Sequence, residues 1–461
     1  MMPISGHPIV TAAEMRAAEE RAIAGGTSVE VLMDRAGKGV ATAVRRLASG
    51  HSVLVLCGPG NNGGDGYVAA AALAEAGLKV RIAATGEPVT PAARRARAGW
   101  TGAVEEIGSA EPAAVVVDAL FGTGLARPLE GALSVRLRAL VEAARLAVAV
   151  DFPSGISADD GAVLSSVPRF DVTLALGAVK PGHLLQPAAR YCGAVRVIDI
   201  GISVNSSVEV LEKPCLPVPG PDSYKYTRGM VAVVAGPMRG ASLLAATAAM
   251  RAGAGYVERL GNDDSGGPCS LVDRKFDEHS LGDARIGALL IGPGLGRDGE
   301  AAAKLDRVLA TGHPLVIDGD ALHLLKSRLD VLRQREAPAI LTPHAGEFAA
   351  LFGKGEGSKI DQARAAAAEA DAVVVFKGPD TVIAAPDGRA RVAGEANAWL
   401  STAGTGDVLA GTIAAMLAAK LEPIEAAAAG VWLHGEAARR LGASFIADDL
   451  ADALTAVRAS A

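Results

Sequence analysis

In the segment NAWLSTAGTGDVLAGT, residues 397–412, two glycines flank a threonine. An aspartate, Asp407, comes directly after the second glycine. The apolar run that follows predicts a helix that starts near Asp407. The N–H groups of a glycine-rich turn at a helix start attract anions, and the helix dipole adds to that attraction. We therefore expect the turn from Ala403 to Gly406 to hold a transferring phosphoryl group, while Asp407 takes a proton from a substrate hydroxyl. The competing interpretation is that Asp407 is only a helix N-cap.

A second glycine-rich stretch, GPGNNGGDG at residues 58–66, follows an apolar strand-like run and opens a predicted helix at about Tyr67. It contains the G-x-G-x-x-G spacing of dinucleotide-binding loops, although a plain steric turn explains that spacing equally well. Asn61, Asn62 and Asp65 add amide and carboxylate groups that a plain turn does not need. This stretch is therefore a candidate site for a phosphate-bearing ligand.

Two more acidic strand ends follow in the first half of the chain. Asp118 precedes a Gly-Thr-Gly loop, and Asp151 precedes a Pro-Ser-Gly turn that contains Ser154. Each aspartate alone is explained as a cap or turn residue. Because the carboxyl ends of parallel strands meet at the ligand-binding edge of an open sheet, the repetition favours a common site.

Short β-branched runs alternate with alanine-rich helical stretches, which is typical of parallel sheets covered by helices on both faces. The predicted strands are SVLVLC, LKVRIAA, AVVVDAL, LAVAVDF, DVTLAL and AVRVIDIG in the first half and MVAVVAG, GALLIG, HPLVID, PAILTP and AVVVFKG in the second. Between the two sets, a proline-rich stretch without a period predicts a linker at residues 205–222. We therefore predict an α/β protein with two doubly wound domains, at residues 1–204 and 223–461.

Composition argues against several classes of function. The 461 residues carry 45 Lys and Arg against 51 Asp and Glu without a basic cluster, so nucleic acid is not an expected partner. Charges, Pro or Gly interrupt every long apolar run, so we expect no membrane span. The amino-terminal segment lacks an export signal, and Thr11 and Glu14 predict a helix capping box instead, which makes the cytoplasm the expected location. The four cysteines form no C-x-x-C pair and are expected to be free thiols, with Cys57 in a core strand.

The motifs NNGGDG, DALFGTGL, DFPSGI and LGAVKPGHLLQPAARYCGAVRVIDIGI occur in this order in the first predicted domain. As a set they resemble the epimerase domain that acts on hydrated nicotinamide cofactors, NAD(P)HX. The resemblance implies a Rossmann-like three-layer sandwich that interconverts the R and S forms at C6 of the hydrated ring. It makes Asp151 the expected proton-transfer residue, because a carboxylate that faces the ring can act as acid and base in turn.

The same resemblance implies which residues bind ligands. The substrate set comprises Asn61, Asn62, Gly63, Gly64, Asp65, Gly122, Thr123, Gly124, Leu125, Ala126, Arg127, Pro128 and Asp151. A potassium ion would be held by Asn62, Asp118 and Ser154, whose oxygen atoms suit a hard cation. Phe152 stands where the family usually has Ile.

The second predicted domain carries YKYTRGMVAVVAG, IGPGLGR, VIDGDAL, LTPHAGEF, FKGPDTVI and the GTGD segment. This set resembles the ribokinase-like fold and, within it, the NAD(P)HX dehydratases, because TPHAGE with K-G-x-x-T and GTGD distinguishes that branch from sugar kinases. The resemblance implies that a nucleotide phosphorylates the C6 hydroxyl of (S)-NAD(P)HX and that the phosphate then leaves, which restores NAD(P)H. The chain would then combine two activities. Its first domain would be an isomerase, and its second would be a lyase with a kinase-like fold.

The resemblance extends to the ligand-binding positions of the second domain. Hydrate-contacting positions match Ala241, Gly296, His344 and Asp407. Nucleotide-binding positions match Lys377, Gly378, Pro379, Asp380, Thr381 and Gly406. The expected donor is ADP, as in bacterial members, with Mg²⁺ to neutralise the donor phosphates. The resemblance also favours a homo-oligomer, specifically a tetramer.

Several alternatives stay open on the sequence alone. The segment NAWLSTAGTGD departs from the family's N-P-G-x-x-T-G-G-T-G-D at Ala398, Trp399 and Ala403, so Trp399 is expected to reshape the nucleotide pocket or to stack on a base. His344 is either a substrate contact or a hydrogen-bonded loop histidine. The second domain is alternatively a kinase of a small hydroxylated metabolite, joined to a non-catalytic nucleotide-binding module, since a fold does not fix a function.

Overall fold

The chain forms two compact units in the computed structural model, Met1–Val210 and Leu211–Ala461. The structure describes residues 2–261, 266–326, 328–394 and 396–461. The division falls inside the segment 205–222, which is predicted to be a linker, and that segment includes a short strand at residues 208–210. Among the described helices, none combines the length and the apolar character that a membrane span requires.

The first unit is built on a parallel sheet. Its strands are β1 Val53–Cys57, β2 Val80–Ala84, β3 Val104–Glu106, β4 Val115–Ala119, β5 Leu146–Val150, β6 Val172–Leu176, β7 Ala194–Ile198 and β8 Val208–Val210. The first seven form one sheet in the order β3-β2-β1-β4-β5-β6-β7, and each neighbouring pair is parallel. Each predicted strand of this half is present, whereas β3 escapes prediction because two of its three residues are glutamates. The strand order reverses between β1 and β4, which is where doubly wound sheets bind ligands.

The helices of the first unit are α1 Ala12–Ala24, α2 Val29–Ala48, α3 Asn61–Glu75, α4 Pro91–Ala98, α5 Gly131–Glu142 and α6 Ala189–Cys192. The predicted capping box is confirmed, because Thr11 Oγ1 accepts from Glu14 N at 3.2 Å and Glu14 Oε2 accepts from Thr11 N at 2.7 Å. Helices α2 and α3 pack on each other and on the apolar side chains of β1, among which Cys57 is fully buried, as predicted.

The predicted helix start at Tyr67 is wrong, because α3 begins at Asn61 and takes in the whole NNGGDG motif. The glycines of the motif allow close packing rather than a flexible loop. A Cβ atom on Gly63 would lie 1.9 Å from the carbonyl oxygen of Gly58, and one on Gly66 would lie 2.7 Å from a Cβ atom of β4. Glycine at positions 63 and 66 therefore lets the first turns of α3 pack against the ends of β1 and β4.

The second unit has a larger, mixed sheet. Its strands are β9 Met230–Val234, β10 Tyr256–Leu260, β11 Val272–Arg274, β12 Ala288–Ile291, β13 Leu315–Ile317, β14 Ala339–Leu341, β15 Val373–Phe376, β16 Val382–Ala384 and β17 Ala390–Val392. They lie in the order β11-β10-β9-β12-β13-β14-β15-β16-β17, parallel up to β15 and antiparallel from β15 to β17. Each predicted strand of this half is present. Strand β10 escapes prediction because Glu258 and Arg259, both buried, interrupt its apolar run.

The helices of the second unit are α7 Arg239–Arg251, α8 Glu278–Leu281, α9 Gly299–Leu309, α10 Gly319–Leu325, α11 Leu329–Arg333, α12 Ala345–Phe352, α13 Lys359–Ala370, α14 Thr405–Ala418, α15 Pro423–Leu441 and α16 Ala447–Ala459. Helix α14 packs on α7 and α15 and buries an alanine-rich cluster with them. A Cβ atom on Gly411 would lie 2.0 Å from the carbonyl oxygen of Ala245, so only glycine allows this close approach of α14 to α7. The approach fixes the middle of α14 against α7.

Candidate active sites

A cavity of about 610 Å³ in the first unit lies at the carboxyl ends of β1 and β4. The predicted site residues that line it are Asn61, Asn62, Asp65, Gly122, Thr123, Gly124, Leu125 and Asp151. Five other members of the predicted substrate set are not among its lining residues: Gly63, Gly64, Ala126, Arg127 and Pro128. The two glycines are buried inside α3, whereas the side chains of residues 126–128 are exposed. The structure therefore gathers part of the predicted substrate set around one space.

Asp151 lies in this cavity with a backbone conformation that is rare for a residue with a side chain. Its φ of 61° is in the left-handed region, which costs about 1–3 kcal/mol unless the surroundings enforce it. Oδ1 accepts from Lys180 Nζ at 2.6 Å and from Leu176 N at 3.2 Å, and Oδ2 accepts from Thr123 N at 3.3 Å. These bonds fix both oxygens of the carboxylate.

His183 holds the backbone of Asp151 in place. Its Nε2 lies 2.7 Å from the carbonyl oxygen of Asp151, while its Nδ1 accepts from the backbone N of Lys180 at 3.0 Å. Burial and the nearby Lys180 ammonium lower the pKa of His183 to about 3, so the imidazole is neutral and Nε2 carries the proton. Phe152, which is buried, stacks on this ring with 4.2 Å between centroids.

Two carboxyl groups of the cavity, those of Asp151 and Asp65, have pKa values shifted in opposite directions. Burial alone would raise the pKa of Asp151, but the Lys180 ammonium holds it below its usual range. Burial raises the pKa of Asp65 well above its usual range, and the Asp151 carboxylate raises it further. Asp151 is therefore an ionised carboxylate, whereas Asp65 favours the neutral acid.

Asp118 and Ser154 meet beneath the cavity. Asp118 Oδ1 accepts from Ser154 Oγ at 2.8 Å and from Leu120 N at 3.1 Å, and Oδ2 accepts from Ser154 N at 2.9 Å. Burial still raises the pKa of Asp118 to about 6 despite these hydrogen bonds. Ser154 Oγ also accepts from Phe121 N at 3.0 Å, and Phe121 lines the cavity. In the described part of the chain, the buried Nδ2 of Asn62 has no hydrogen-bond partner.

A cavity of about 1150 Å³ in the second unit lies beside the amino-terminal end of α14. The predicted nucleotide and substrate residues that line it are His344, Lys377, Gly378, Pro379, Thr381 and Gly406. Asp380, Asp407, Ala241 and Gly296 are not among its lining residues. Trp399 is half exposed on the turn Ala398–Leu400, whose two end residues line the cavity.

The amino-terminal end of helix α14 is not capped by a side chain and can bind an anion. Gly404, with a φ of 88°, is its N-cap, and no side chain caps the helix. Asp407 is the third residue of α14, so the interpretation of Asp407 as the N-cap is wrong. The N–H groups of the first turn have no intrahelical acceptor, and the helix dipole favours an anion beside them.

Burial and nearby charged residues shift the pKa of Asp407. It is raised to about 6 by burial, next by Asp318 and then by Asp320, against the opposing effect of Lys377. The charges of Asp318, Lys377 and Asp320 therefore all act on the Asp407 carboxyl group. A carboxylate with this pKa is ionised near neutral pH and is basic enough to accept a proton.

The loop at residues 377–381 is fixed by buried ion pairs. Lys377 Nζ lies 2.7 Å from Asp318 Oδ1, and Lys359 Nζ lies 2.6 Å from Asp380 Oδ1. The Thr381 hydroxyl donates to the carbonyl oxygen of Gly378 at 2.9 Å. These contacts hold the loop beside the cavity, which Lys377, Gly378, Pro379 and Thr381 line.

His344 is both a helix cap and a cavity residue. Its Nδ1 accepts from Gly346 N at 3.0 Å and from Glu347 N at 3.2 Å at the start of α12. These bonds place the proton on Nε2, which lies 3.5 Å from Glu347 Oε1, and the side chain is 60% exposed. The interpretation of His344 as a hydrogen-bonded histidine is confirmed, and its contact with the substrate stays a prediction.

Ala241 and Gly296 lie near the turn that follows β12. A Cβ atom on Gly294 would lie 2.9 Å from Cβ of Ala241, and Gly296 N donates to Asp320 Oδ2 at 3.0 Å. Asp320 also raises the pKa of Asp407. Asp320 therefore relates this turn to Asp407.

Sequence comparisons cover both units. The family model described as "NAD(P)H-hydrate dehydratase" matches residues 231–458, and that described as "YjeF-related protein N-terminus" matches residues 29–182. The bifunctional NAD(P)H-hydrate repair enzyme of Salinibacter ruber is 36% identical, with 98% of this chain and 96% of that protein covered. The chain belongs to the family of bifunctional NAD(P)H-hydrate repair enzymes.

A second member of the repair-enzyme family, from Thermofilum pendens, is 37% identical over 89% of this chain and 87% of that protein. A solved structure of an ADP/ATP-dependent NAD(P)H-hydrate dehydratase from Bacillus subtilis, co-crystallised with ATP/Mg²⁺, is 32% identical. It covers 53% of this chain and 94% of that chain, with a TM-score of 0.47.

Sequence reasoning about this repair enzyme missed several side chains that hold the predicted site residues in place. Lys180 and His183 occur in the KPGH stretch and Asp318 in VIDGDAL, both quoted as motifs but given no role. Lys359 was not singled out. The available signal was the position of Lys180 directly after an apolar run, where a buried charge needs a partner.

Proposed function

We propose that this protein repairs hydrated nicotinamide cofactors in two steps. The first unit would interconvert (R)- and (S)-NAD(P)HX, and the second would dehydrate (S)-NAD(P)HX to NAD(P)H at the expense of a nucleotide. With ADP as the donor, the products are AMP and inorganic phosphate. The observation that carries the proposal is the placement of Asp407, with its raised pKa, in the first turn of an uncapped helix beside Lys377.

In the second unit, each group has a role that its position supports. The uncapped start of α14 would stabilise the transferring phosphoryl group, and Lys377 would neutralise donor oxygens at the cavity. Asp407 would take the proton of the C6 hydroxyl as that oxygen attacks the phosphorus atom. His344 would donate from Nε2 to the hydrate, because its Nδ1 is engaged by the helix. Ala241 and Gly296 would contact the hydrate, and residues 377–381 with Gly406 would contact the nucleotide.

The nucleotide is proposed to be ADP together with Mg²⁺. Asp318 and Asp320 both act on the pKa of Asp407, which places three carboxyl groups in one region, and one or two carboxylates with substrate phosphates are the usual ligands of Mg²⁺. The described residues contain no group of three or more His, Cys, Asp or Glu side chains that could hold a metal without the nucleotide. The ion would therefore arrive with the donor phosphates and neutralise part of their charge.

In the first unit, we propose that Asn62, Asp118 and Ser154 hold a potassium ion. The fit rests on Asp118, a fully buried carboxyl group, and on the hydroxyl of Ser154, which lies 2.8 Å from Asp118 Oδ1. The buried amide of Asn62 has an unpaired nitrogen, and rotation of the amide exchanges that nitrogen for an oxygen ligand. Bound there, the cation would supply the positive charge that the site lacks.

The location and assembly of the protein are proposals of the same kind. We propose a cytoplasmic homo-tetramer that binds NADHX, NADPHX and ADP and has neither a nucleic acid nor a membrane as a partner. The support is the mildly acidic composition and the family resemblance. Sedimentation analysis of the purified protein with and without ADP tests the tetramer.

A product assay separates this function from that of a metabolite kinase. A kinase accumulates a phosphorylated metabolite, whereas the repair enzyme releases inorganic phosphate and restores absorbance at the NADH band. The assay uses (S)-NADHX with ADP and, in parallel, with ATP. Release of phosphate in step with NADH supports the proposal, and accumulation of a stable phosphorylated product contradicts it.

A further inference from the structure

We propose that Lys180 transfers the proton in the epimerase half and that Asp151 is the carboxylate partner that holds it in place. The inference rests on the proposed epimerase function and deepens it. It changes the role of Asp151, which the family resemblance implies to be the acid and base. The geometry of Lys180 in the cavity carries the proposal.

Lys180 is a buried lysine at the floor of the first cavity. The residue is 1% exposed, and it is one of the residues that line the cavity. Its Nζ lies 2.6 Å from Asp151 Oδ1 and 2.8 Å from the carbonyl oxygen of Leu176. An ammonium group carries three protons, and in the described part of the chain these two acceptors account for two of them. The third proton is left for a ligand in the cavity.

The other cations and the imidazole of the cavity cannot take this role. His183 is engaged at both ring nitrogens, by the carbonyl oxygen of Asp151 and by the backbone N of Lys180. Arg16 also lines the cavity, but a guanidinium group does not release its proton in a protein. Asp65 and Glu19 line the same cavity, burial raises the pKa of both, and they are the competing proton donors.

The backbone and the carboxylate of Asp151 are both fixed in position, so this side chain is not suited to carry a proton to and from the substrate. Its left-handed φ of 61° is fixed through the backbone by His183, and both carboxylate oxygens accept hydrogen bonds. A carboxylate fixed in this way is suited to stabilise a positive charge beside it. Strained residues of this kind cluster at active sites.

The chemistry of the hydrate requires such a pair. C6 carries a hydroxyl group and is bonded to the ring nitrogen N1. The C6–O bond breaks with its electron pair on oxygen, which takes a proton from Lys180 and leaves as water. The nitrogen lone pair forms a C6=N1 double bond, and Asp151 stabilises the resulting cation. Water then adds to the opposite face of C6 and gives a proton to the solvent, and the solvent returns a proton to Lys180, so that atoms, charge and electrons balance.

The test compares Lys180→Ala and Lys180→Arg with wild type in the full-length chain. The first variant removes the proton carrier, and the second keeps a cation beside Asp151 that cannot give up its proton. We expect each to lose about 10²-fold or more of the epimerase rate above the spontaneous background, with a normal rate on pure (S)-NADHX. Lys38→Ala is the matched control, because Lys38 forms an exposed ion pair with Asp34 at 2.8 Å.

Chemical rescue distinguishes proton transfer from a structural role. Small primary amines added to Lys180→Ala should restore epimerisation in proportion to their basicity, whereas a void-filling effect would follow their size. Retention of more than a tenth of the rate in Lys180→Arg, rescue by size alone, or loss in Asp65→Asn with full activity in Lys180→Ala would overturn the inference. Absence of epimerisation in wild type would instead remove the proposed function on which the inference rests.

Discussion

Lys377 and Asp318 form an ion pair in the second unit, with 2.7 Å between Nζ and Oδ1 and with 17% and 4% of the side chains exposed. The same oxygen accepts from the Thr342 hydroxyl at 2.6 Å. The two charges of this pair act on Asp407 in opposite directions, because Asp318 raises its pKa and Lys377 lowers it. The ion pair therefore sets the basicity of the residue that we propose to be the general base.

Asp318→Asn should move the pH profile of dehydration. Asp407 must be ionised to act, so wild-type kcat/KM should fall as the pH drops below about 6. The substitution removes a negative charge that raises the pKa of Asp407, and the acidic limb should therefore shift to lower pH. Asp330→Asn, at an exposed position of α11, is the control. An unchanged limb, or a shift to higher pH, would contradict this account of the ion pair.

Asp407→Asn should abolish dehydration and leave the fold intact. Loss of a general base typically lowers a rate by about 10²- to 10⁴-fold. Asp449 occupies the same third helical position in α16, so Asp449→Asn is the matched control for helix stability. We expect Asp407→Asn to bind ADP in calorimetry and to epimerise normally, but not to restore NADH from the S hydrate. A dehydratase rate above about a tenth of wild type would exclude Asp407 as the base.

The sequence predicts the two α/β units and most strands because apolar runs and glycine turns are local signals. It does not predict the pairs Lys180–Asp151 and Lys377–Asp318, since their partners lie 29 and 59 residues apart and meet only when the sheets form. The start of α3 at Asn61 was missed for a related reason. Glycines that suggest a loop in the sequence are instead required by contacts with distant backbone, as at Gly63. Strand β10 was missed because Glu258 and Arg259 are buried charges.

Asp118→Asn should make epimerisation insensitive to potassium. The substitution keeps the size of the side chain and removes the charge that a cation would offset. We expect wild type to epimerise faster in K⁺ than in Li⁺, and the variant to be slow in both, while dehydration of (S)-NADHX is unchanged. The control is Asp171→Asn, an exposed carboxylate of the same unit that accepts from Ala147 N. Equal loss of both activities would indicate unfolding and would remove the assignment of the potassium site.

Gly411→Ala should destabilise the second unit by about 1–3 kcal/mol, as overpacking of a filled contact usually does. The added Cβ atom would lie 2.0 Å from the carbonyl oxygen of Ala245, so α14 and α7 must separate. Gly240→Ala in α7 is the control, because its Cβ atom meets nothing within 4 Å and alanine favours a helix. Thermal unfolding measures both variants. Equal midpoints for Gly411→Ala and wild type would show that the two helices are not packed as closely as described.

The most direct test of the repair function starts from (R)-NADHX freed of the S form and mixed with ADP, Mg²⁺ and K⁺ in one vessel. Only a chain with both activities can convert this substrate, so NADH absorbance should return faster than spontaneous epimerisation allows, with one phosphate released for each NADH. Asp407→Asn should consume the R form without restoring NADH, whereas Lys180→Ala should leave the R form largely unconverted. If wild type restores no NADH with either ADP or ATP, the account of a two-step repair enzyme is contradicted.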